Sequence, residues 1–470
     1  MSKDSVLSSA TGSLLAAFAS AQDTEYHSGR SRERTSFQGK AKLVTHIVQH
    51  HAQDLIDQGM IAAPHTNLPK LSQLSEWGHS CLHYTHEQLV GCSMMMLLEV
   101  GCTSIGIDHL KATAYTSEVL MRYSRVPYHN MYHAFNVMQG CFSVLTTSEL
   151  AKKFSVQEKV VVLIAALGHD AGHDGVNTAF HVAMESELTT HYNDRSPLEN
   201  MHAWHTFDTM RAHNGNCDLL SDLTAKQRKT IRHQIINTII ATDMAFHNKK
   251  VDEFSGKEKI DMGLQTDRDL LMEVIVHTVD LGHSTYSWLE ECRWARLVAT
   301  EFQAQVDRER AAGVPPTVFM ECTGEAHLGK GQLGFIDYVV KPIYAAVAER
   351  MPEMKAALDN ATTNRQNWKE VSEGTRPMLG NDNGEDDDLI AWSVNVGSLA
   401  AGPSSVVMKE AMPVTVLMSE PNKLTANSWN QKAVGNERYV NAATLAPHPP
   451  ATSSGLPPLP GAMSKDKPQP

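Results

Sequence analysis

Residues 165–180 read AALGHDAGHDGVNTAF, and His169, Asp170 and His173 there interrupt the end of an otherwise apolar segment. Two imidazoles and a carboxylate within five residues are costly to bury unpartnered. A divalent cation satisfies neutral histidine and ionised aspartate together, so the stretch reads as half of a metal site. Just before it, Ser155 and Glu158 have capping-box spacing, and the run VVVLIAAL is apolar all round, which favours a buried helix. Its β-branched content leaves a buried strand open. On a helix, His169 and His173 fall one turn apart on a shared face, with Asp170 beside the first. An isolated His-Asp pair also reads as two buried side chains bonded to each other, so the rest of the chain must decide.

Upstream, VPYHNMYHAFNVMQG (126–140) supplies a second pair. Pro127 can start a helix, which puts His129 and His133 on one face. Downstream, the polar stretch 181–223 holds Glu199, His202 and His205, and Thr224 with Gln227 opens a helix with Ile231, Ile235 and Ile239 on one side. ATDM places Asp243 near an apolar helix end, as a cap or as a support for a metal site. Asp267 reads as the cap of DRDLLMEVIVHTVDLGHS, whose core face is Leu271, Val274, Ile275, Thr278 and Leu281. Asp280 falls off that stripe and is the missing hard ligand. A helix from Trp288 to Ala312 stops at Gly313, and GKGQLGFIDYVVKPIY starts with flexible glycines before an apolar helix broken by Pro342.

The 470 residues can bury a large core, and 42% hydrophobic with 20% charged content is ordinary for a globular chain. A net charge of -12 without a Lys/Arg stripe argues against nucleic-acid binding. Seven scattered cysteines without a CxxC pair suit reduced thiols and a cytoplasmic protein. No apolar run approaches the roughly 20 residues of a membrane span. Residues 1–40 read as a polar, mobile arm, and 41–69 as a helical lead-in whose His46, His50 and His51 are expected at the surface. The main domain spans 70–372, with Trp77 and Met94–Met96 in its core. From 373 to 470 the chain turns Pro-rich and acidic, a disordered tail: twelve of the 20 prolines follow residue 376. Its LPPLP is a candidate polyproline ligand for a protein partner.

His133, His169, Asp170 and Asp280 together offer two imidazoles and two carboxylates. This mixed set suits Zn²⁺, and a shared aspartate can bridge to a harder ion such as Mg²⁺ or Mn²⁺. Two ions lower the pKa of water between them and neutralise charge growing on phosphorus, which suits phosphate-ester hydrolysis. His129 can protonate the departing oxygen.

YHNMYHAFNV, LGHDAGHDG, YNDRSPLEN, ATDM, HTVDL and GQLGFIDY occur in order and at the approximate spacing of the catalytic domain of class I cyclic nucleotide phosphodiesterases, which residues 70–372 therefore resemble. The resemblance implies a compact all-α domain that hydrolyses a 3',5'-cyclic nucleotide to its 5'-monophosphate; cAMP is the favoured substrate with cGMP the alternative, since a glutamine amide can turn to offer either bonding pattern. It gives His129 the place of the proton donor and His133, His169, Asp170 and Asp280 those of the ligands, with Asp170 bridging. His173, Glu199 and Asp243 match residues that position water at the ions, and Glu301 is a candidate for orienting His129. Gln332 matches the glutamine that bonds the purine, while Phe335 and Val298 fall where the base is clamped. Tyr128, Met244 and His283 complete the expected pocket.

The pattern departs from the family at Asn136 (usually Asp), Asp174 (Pro) and Thr178 (Asn), at Met201 and His202 for paired histidines, and at Gly282, His283 and Ser284 for Ser-Asn-Pro. None removes a direct ligand; His283 alters the pocket wall, and Asp174 adds negative charge near the ions. Rival readings are an HD-type phosphohydrolase of a noncyclic nucleotide and a catalytically weak nucleotide-binding sensor.

Overall fold

The computed structural model describes residues Leu68–Leu379, all within the first of two units, Met1–Ser404. The arm, the lead-in up to residue 67, the tail beyond 379 and the LPPLP segment lie outside the described residues. Among the described residues every regular element is helical. The longer helices are α1 (His86–Glu99), α2 (His109–Met121), α3 (Met131–Thr147), α4 (Val156–Gly168), α5 (Pro197–Arg211), α6 (Ala225–Ile240), α7 (His247–Ser255), α8 (Gln265–Asp280), α9 (Trp288–Ala312), α10 (Glu325–Phe335), α11 (Lys341–Arg350) and α12 (Lys355–Ser372). None is long and apolar enough to cross a membrane.

The molecule is built around α4. Ser155 and Glu158 form the capping box that starts it, and every residue from Val160 to Gly168 is buried. Such a helix needs neighbours on all sides, and α3, α6 and α8 pack around it. The core faces of α6 and α8 are the apolar stripes of the sequence: Ile231, Ile235 and Ile239 on one, Leu271, Val274, Ile275 and Thr278 on the other. Met94, Met95 and Met96 of α1 are buried, and Trp77 meets Tyr286 and Tyr344 edge-on. All seven cysteines are free thiols, six of them buried, with Cys322 partly exposed.

Several local expectations are corrected. Pro127 does not start α3: Asn130 caps it, accepting from Tyr132 N at 2.9 Å and donating to the Val126 and Pro127 carbonyls. An asparagine able to close the preceding bend outcompetes the proline, and His129 is left ahead of the helix. Nor does α4 continue through His173, because it ends at Gly168 with His169 as its C-cap, and Gly172 turns the chain at φ +84°. Asp267 is not a cap: α8 begins two residues earlier, and Asp267 sits in its first turn accepting from Asp261 N (2.9 Å) and Lys257 Nζ (2.7 Å). The polar stretch 181–223 contains α5, whose buried face of His202, Thr206 and Thr209 hides its helical period. The glycines of GKGQLGF lie inside α10, where a Cβ on Gly329 would stand 2.9 Å from Trp368 O and Ser372 N of α12. Pro342 does not break the next helix either. Lacking an N–H, it is accommodated by a π-helical turn, Ile336–Val340, that carries α10 into α11.

Candidate metal centre and active site

The ends of α4 and α8 and the first turn of α3 meet at one point. His133 Nε2, His169 Nε2, an Asp170 oxygen and an Asp280 oxygen lie within 4.8 Å of one another. His133 Nε2 is 2.9 Å from Asp280 Oδ1 and 3.4 Å from Asp170 Oδ2, and His169 Nε2 is 3.1 Å from each of those oxygens. Tyr123 Oη holds the turn, donating to Leu167 O at 2.9 Å and accepting from Asp170 N at 3.2 Å.

The donor set fits a divalent cation. His169 Nδ1 lies 2.7 Å from Ala166 O, so a ring hydrogen sits there and, with a cation bound, Nε2 turns a lone pair inward. That lone pair faces two carboxylate oxygens and, at 3.2 Å, His133 Nε2, an arrangement that repels unless positive charge lies among them. The electrostatics show the same demand for positive charge, which the His169 ring meets by holding a second proton where no cation does. Burial alone would lower His169, but Asp170 and Asp280 raise it well above its usual value; burial pushes both carboxyls up, but His169 and the bonds from the two histidines hold them below the carboxylate range.

His129 stands beside this cluster. Its Nδ1 bonds Glu301 Oε1, while Glu301 Oε2 accepts from the Tyr128 and His129 backbone N–H groups at 2.7 and 3.0 Å. Burial would depress His129, but the charge and hydrogen bond of Glu301 carry it to about 9. Burial would raise Glu301, and the same partner brings it down to about 2. His173 stacks on His129 with centroids 4.0 Å apart and accepts from Gly175 N at Nδ1, so its proton sits on Nε2. Burial and the neighbouring His129 charge lower it to about 4. His129, His173 and Glu301 are close enough to suggest a second cation site. The stacked rings and the occupied His173 Nδ1 leave no converging lone pairs, so they are not one.

Comparison with known proteins identifies the family. The pattern describing 3',5'-cyclic nucleotide phosphodiesterases matches residues 128–361. The crystal structure of the phosphodiesterase domain of the RhoPDE fusion protein from the choanoflagellate Salpingoeca rosetta is 30% identical with a TM-score of 0.62, covering 65% of this chain and 97% of that one. The chain belongs to the 3',5'-cyclic nucleotide phosphodiesterase family. The 3',5'-cyclic-nucleotide phosphodiesterase regA of Dictyostelium discoideum is 31% identical over 272 residues, and isoform F of the 3',5'-cyclic-AMP phosphodiesterase of Drosophila melanogaster 31% over 280. Each match covers 57% of this chain but only 34% and 42%, respectively, of those longer relatives.

Around the metal-ligand cluster, Glu199 on α5 has a buried Oε2 without a partner, and burial, then the Asp243 charge, push its carboxyl up to about 8. Asp243 both caps the turn Met244–Phe246, accepting from Ala245 N, and accepts from Ser196 Oγ at 2.7 Å. Met244 is about half exposed on that turn. On the opposite wall the His283 ring is parallel to Phe335 at 5.3 Å and meets Tyr128 edge-on at 6.1 Å. Its Nδ1 bonds the fully buried Glu291, which also accepts from Trp368 Nε1 at 2.6 Å. Gln332 is buried with its Oε1 unpartnered, and Val298 and Phe335 are partly buried. Asp174 does not bare its charge to the centre, because His181 and Arg308 hold it.

Sequence reasoning named His202 without giving it a role, and missed Tyr123 and Glu291. His202 donates from Nδ1 to Ala171 O at 2.9 Å and directs Nε2 to within 3.6 Å of Asp170 Oδ1. Its position three residues after Glu199 on a helix was the available signal. Tyr123 and Glu291 carry no motif; their roles exist only in the folded chain.

Proposed function

We propose that the protein hydrolyses 3',5'-cyclic nucleotides to 5'-monophosphates, at a site where His133, His169, Asp170 and Asp280 hold two divalent ions, with Zn²⁺ in the tight position and Mg²⁺ or Mn²⁺ in the second. The observation that carries this is the four converging donors with a carboxylate-bound histidine, His129, one ring away. When bound, such ions activate water and neutralise charge developing on phosphorus.

The chain's own residues supply the rest. His129 holds a proton at neutral pH, stabilised by Glu301, and delivers it from Nε2 to the departing ribose oxygen. His173 keeps a neutral ring against it with Nε2–H as a donor, and Glu199 and Asp243 orient water at the edge of the site. Val298 and Phe335 clamp the base, Gln332 bonds its edge, and Tyr128, Met244 and His283 shape the walls. Adenine is the preferred base. A relative that acts on cyclic AMP by name supports this. Reduced thiols suit a cytoplasmic setting for the reaction.

Side-by-side hydrolysis of cAMP and cGMP by the full chain, with Mn²⁺ or Mg²⁺ and with chelator as control, tests the proposal. Chelator-sensitive 5'-monophosphate formation, faster from cAMP, is the expected result. Release of phosphate from noncyclic nucleotides alone, or saturable binding without turnover, would replace it with one of the rival readings.

A further inference from the structure

Helix α9 holds more than Glu301. One turn on, Gln305 Oε1 accepts from Asn177 N at 2.8 Å and Gln305 Nε2 donates to Asn177 Oδ1 at 3.1 Å. A further turn on, Arg308 donates to Asp174 O at 3.4 Å, approaches Asp174 Oδ2 at 3.7 Å and lies over the Phe180 ring at 4.9 Å. From the other side His181 Nε2 meets Asp174 Oδ1 at 3.2 Å, with His181 Nδ1 3.2 Å from Ser186 Oγ. The segment from Asp174 to His181 is therefore pinned to the helix whose Glu301 grips His129. Directly before Asp174 in the chain stands His173, stacked on the His129 ring with 17° between planes.

We propose that Asp174 is a positioning residue: held between His181 and Arg308, its carboxylate sets the turn that carries His173 and, through the stacked rings, the attitude of His129. This rests on the role given to His129 above. Asp174 is where the resemblance expects proline, a residue that would stiffen the turn through its ring. Here an ion-paired clamp does that work from outside the backbone. Burial would raise the Asp174 carboxyl, but its bond to His181 and the charges of His181, His173 and Arg308 lower it, so it stays ionised in the clamp. Asp174 and Arg308 are each nearly half exposed, so solvent screens the pair and its contribution is geometric more than stabilising.

Asp174→Ala and Arg308→Ala in the metal-loaded full chain test this, with Asp174→Asn, whose single amide oxygen keeps the acceptor that His181 meets while Arg308 retains the Asp174 backbone carbonyl. Each alanine variant should lower kcat about tenfold with KM within about twofold and bound metal unchanged. Asp174→Asn should recover most of the loss, and the double alanine variant should fall no further than the worse single one. Independently of turnover, the His173 ring proton resonances, shifted by the His129 ring current in histidine-labelled protein, should move in both alanine variants. Unchanged kcat and unchanged resonances in both, or additive losses in the double variant, would overturn the proposal. Should Asp174→Ala not fold, Arg308→Ala, at an exposed position, decides alone. Should the wild type hydrolyse no cyclic nucleotide, that reading fails, while the resonances still decide the clamp.

Discussion

At the scale of single residues, the proposed function separates groups that would hold cations from one that would hold a proton. Asp280→Ala removes the oxygen closest to His133, and metal analysis should find the cation lost together with activity. His129→Ala should retain its metal while kcat drops by about 10²–10⁴. The pH dependence follows from the Glu301 pair. If His129 acts as the protonated form, as proposed, its proton is held up to about 9, so kcat should stay level through neutral pH and fall as pH rises through that value. Glu301→Gln keeps the size of the side chain and removes the charge that opposes burial, so the alkaline fall should move down by about 1–2 units. A pH profile that does not move would take Glu301 out of the pair. At this scale the sequence was legible because ligand chemistry is local: His and Asp in an apolar segment announce themselves. What it hid was geometry. His129 lies outside α3 and His173 beyond α4, so neither shares a helical face with its neighbour four residues away, and the stack between them is a tertiary contact.

At the scale of elements, the helix starts written as reciprocal hydrogen bonds were readable, as at Ser155 with Glu158 and Thr224 with Gln227. Single capping residues were not, because Pro127 and Asp267 are each plausible and lose to Asn130 and to an earlier start at Gln265. Helix α5 escaped notice for a different reason: it buries polar side chains against backbone carbonyls, as Thr206 does on Gly168 O and His202 on Ala171 O, and leaves no apolar period. The glycines of α10 were misread as flexible, although one of them marks a close approach. Gly329→Ala should force α10 away from α12, lowering stability by about 1–3 kcal/mol and raising KM, since Gln332 and Phe335 ride on the displaced helix. Gly331→Ala, which meets nothing within 4 Å, should instead stabilise by about 0.5–1 kcal/mol. Thermal unfolding of the two variants side by side distinguishes the packing account from a general need for flexibility.

At the scale of the whole molecule, the packed body reaches past α12. Met378 is buried with Trp368 and Cys292, and Arg376 bonds Asn367 and Glu370 while its guanidinium lies 5.7 Å from the Trp288 ring centroid. Burying Met378 contributes about 1.5–3 kcal/mol. A chain cut after Ser372 should therefore melt on the order of 5 °C below one cut after Leu379, as calorimetry would show. The all-helical architecture was legible through its ordered motifs, whereas this C-terminal strap was not, because a few residues without periodicity acquire meaning only against Trp288 and Trp368. The distribution of sulfur has a practical side. Six thiols are sealed inside the body and kept protonated by burial. A maleimide dye or spin label offered to the native wild-type chain thus has one accessible address, Cys322, whose N–H is anchored to Gln303 of α9. Distances from that point to a paramagnetic Mn²⁺ in the metal centre become measurable without engineering away a single cysteine.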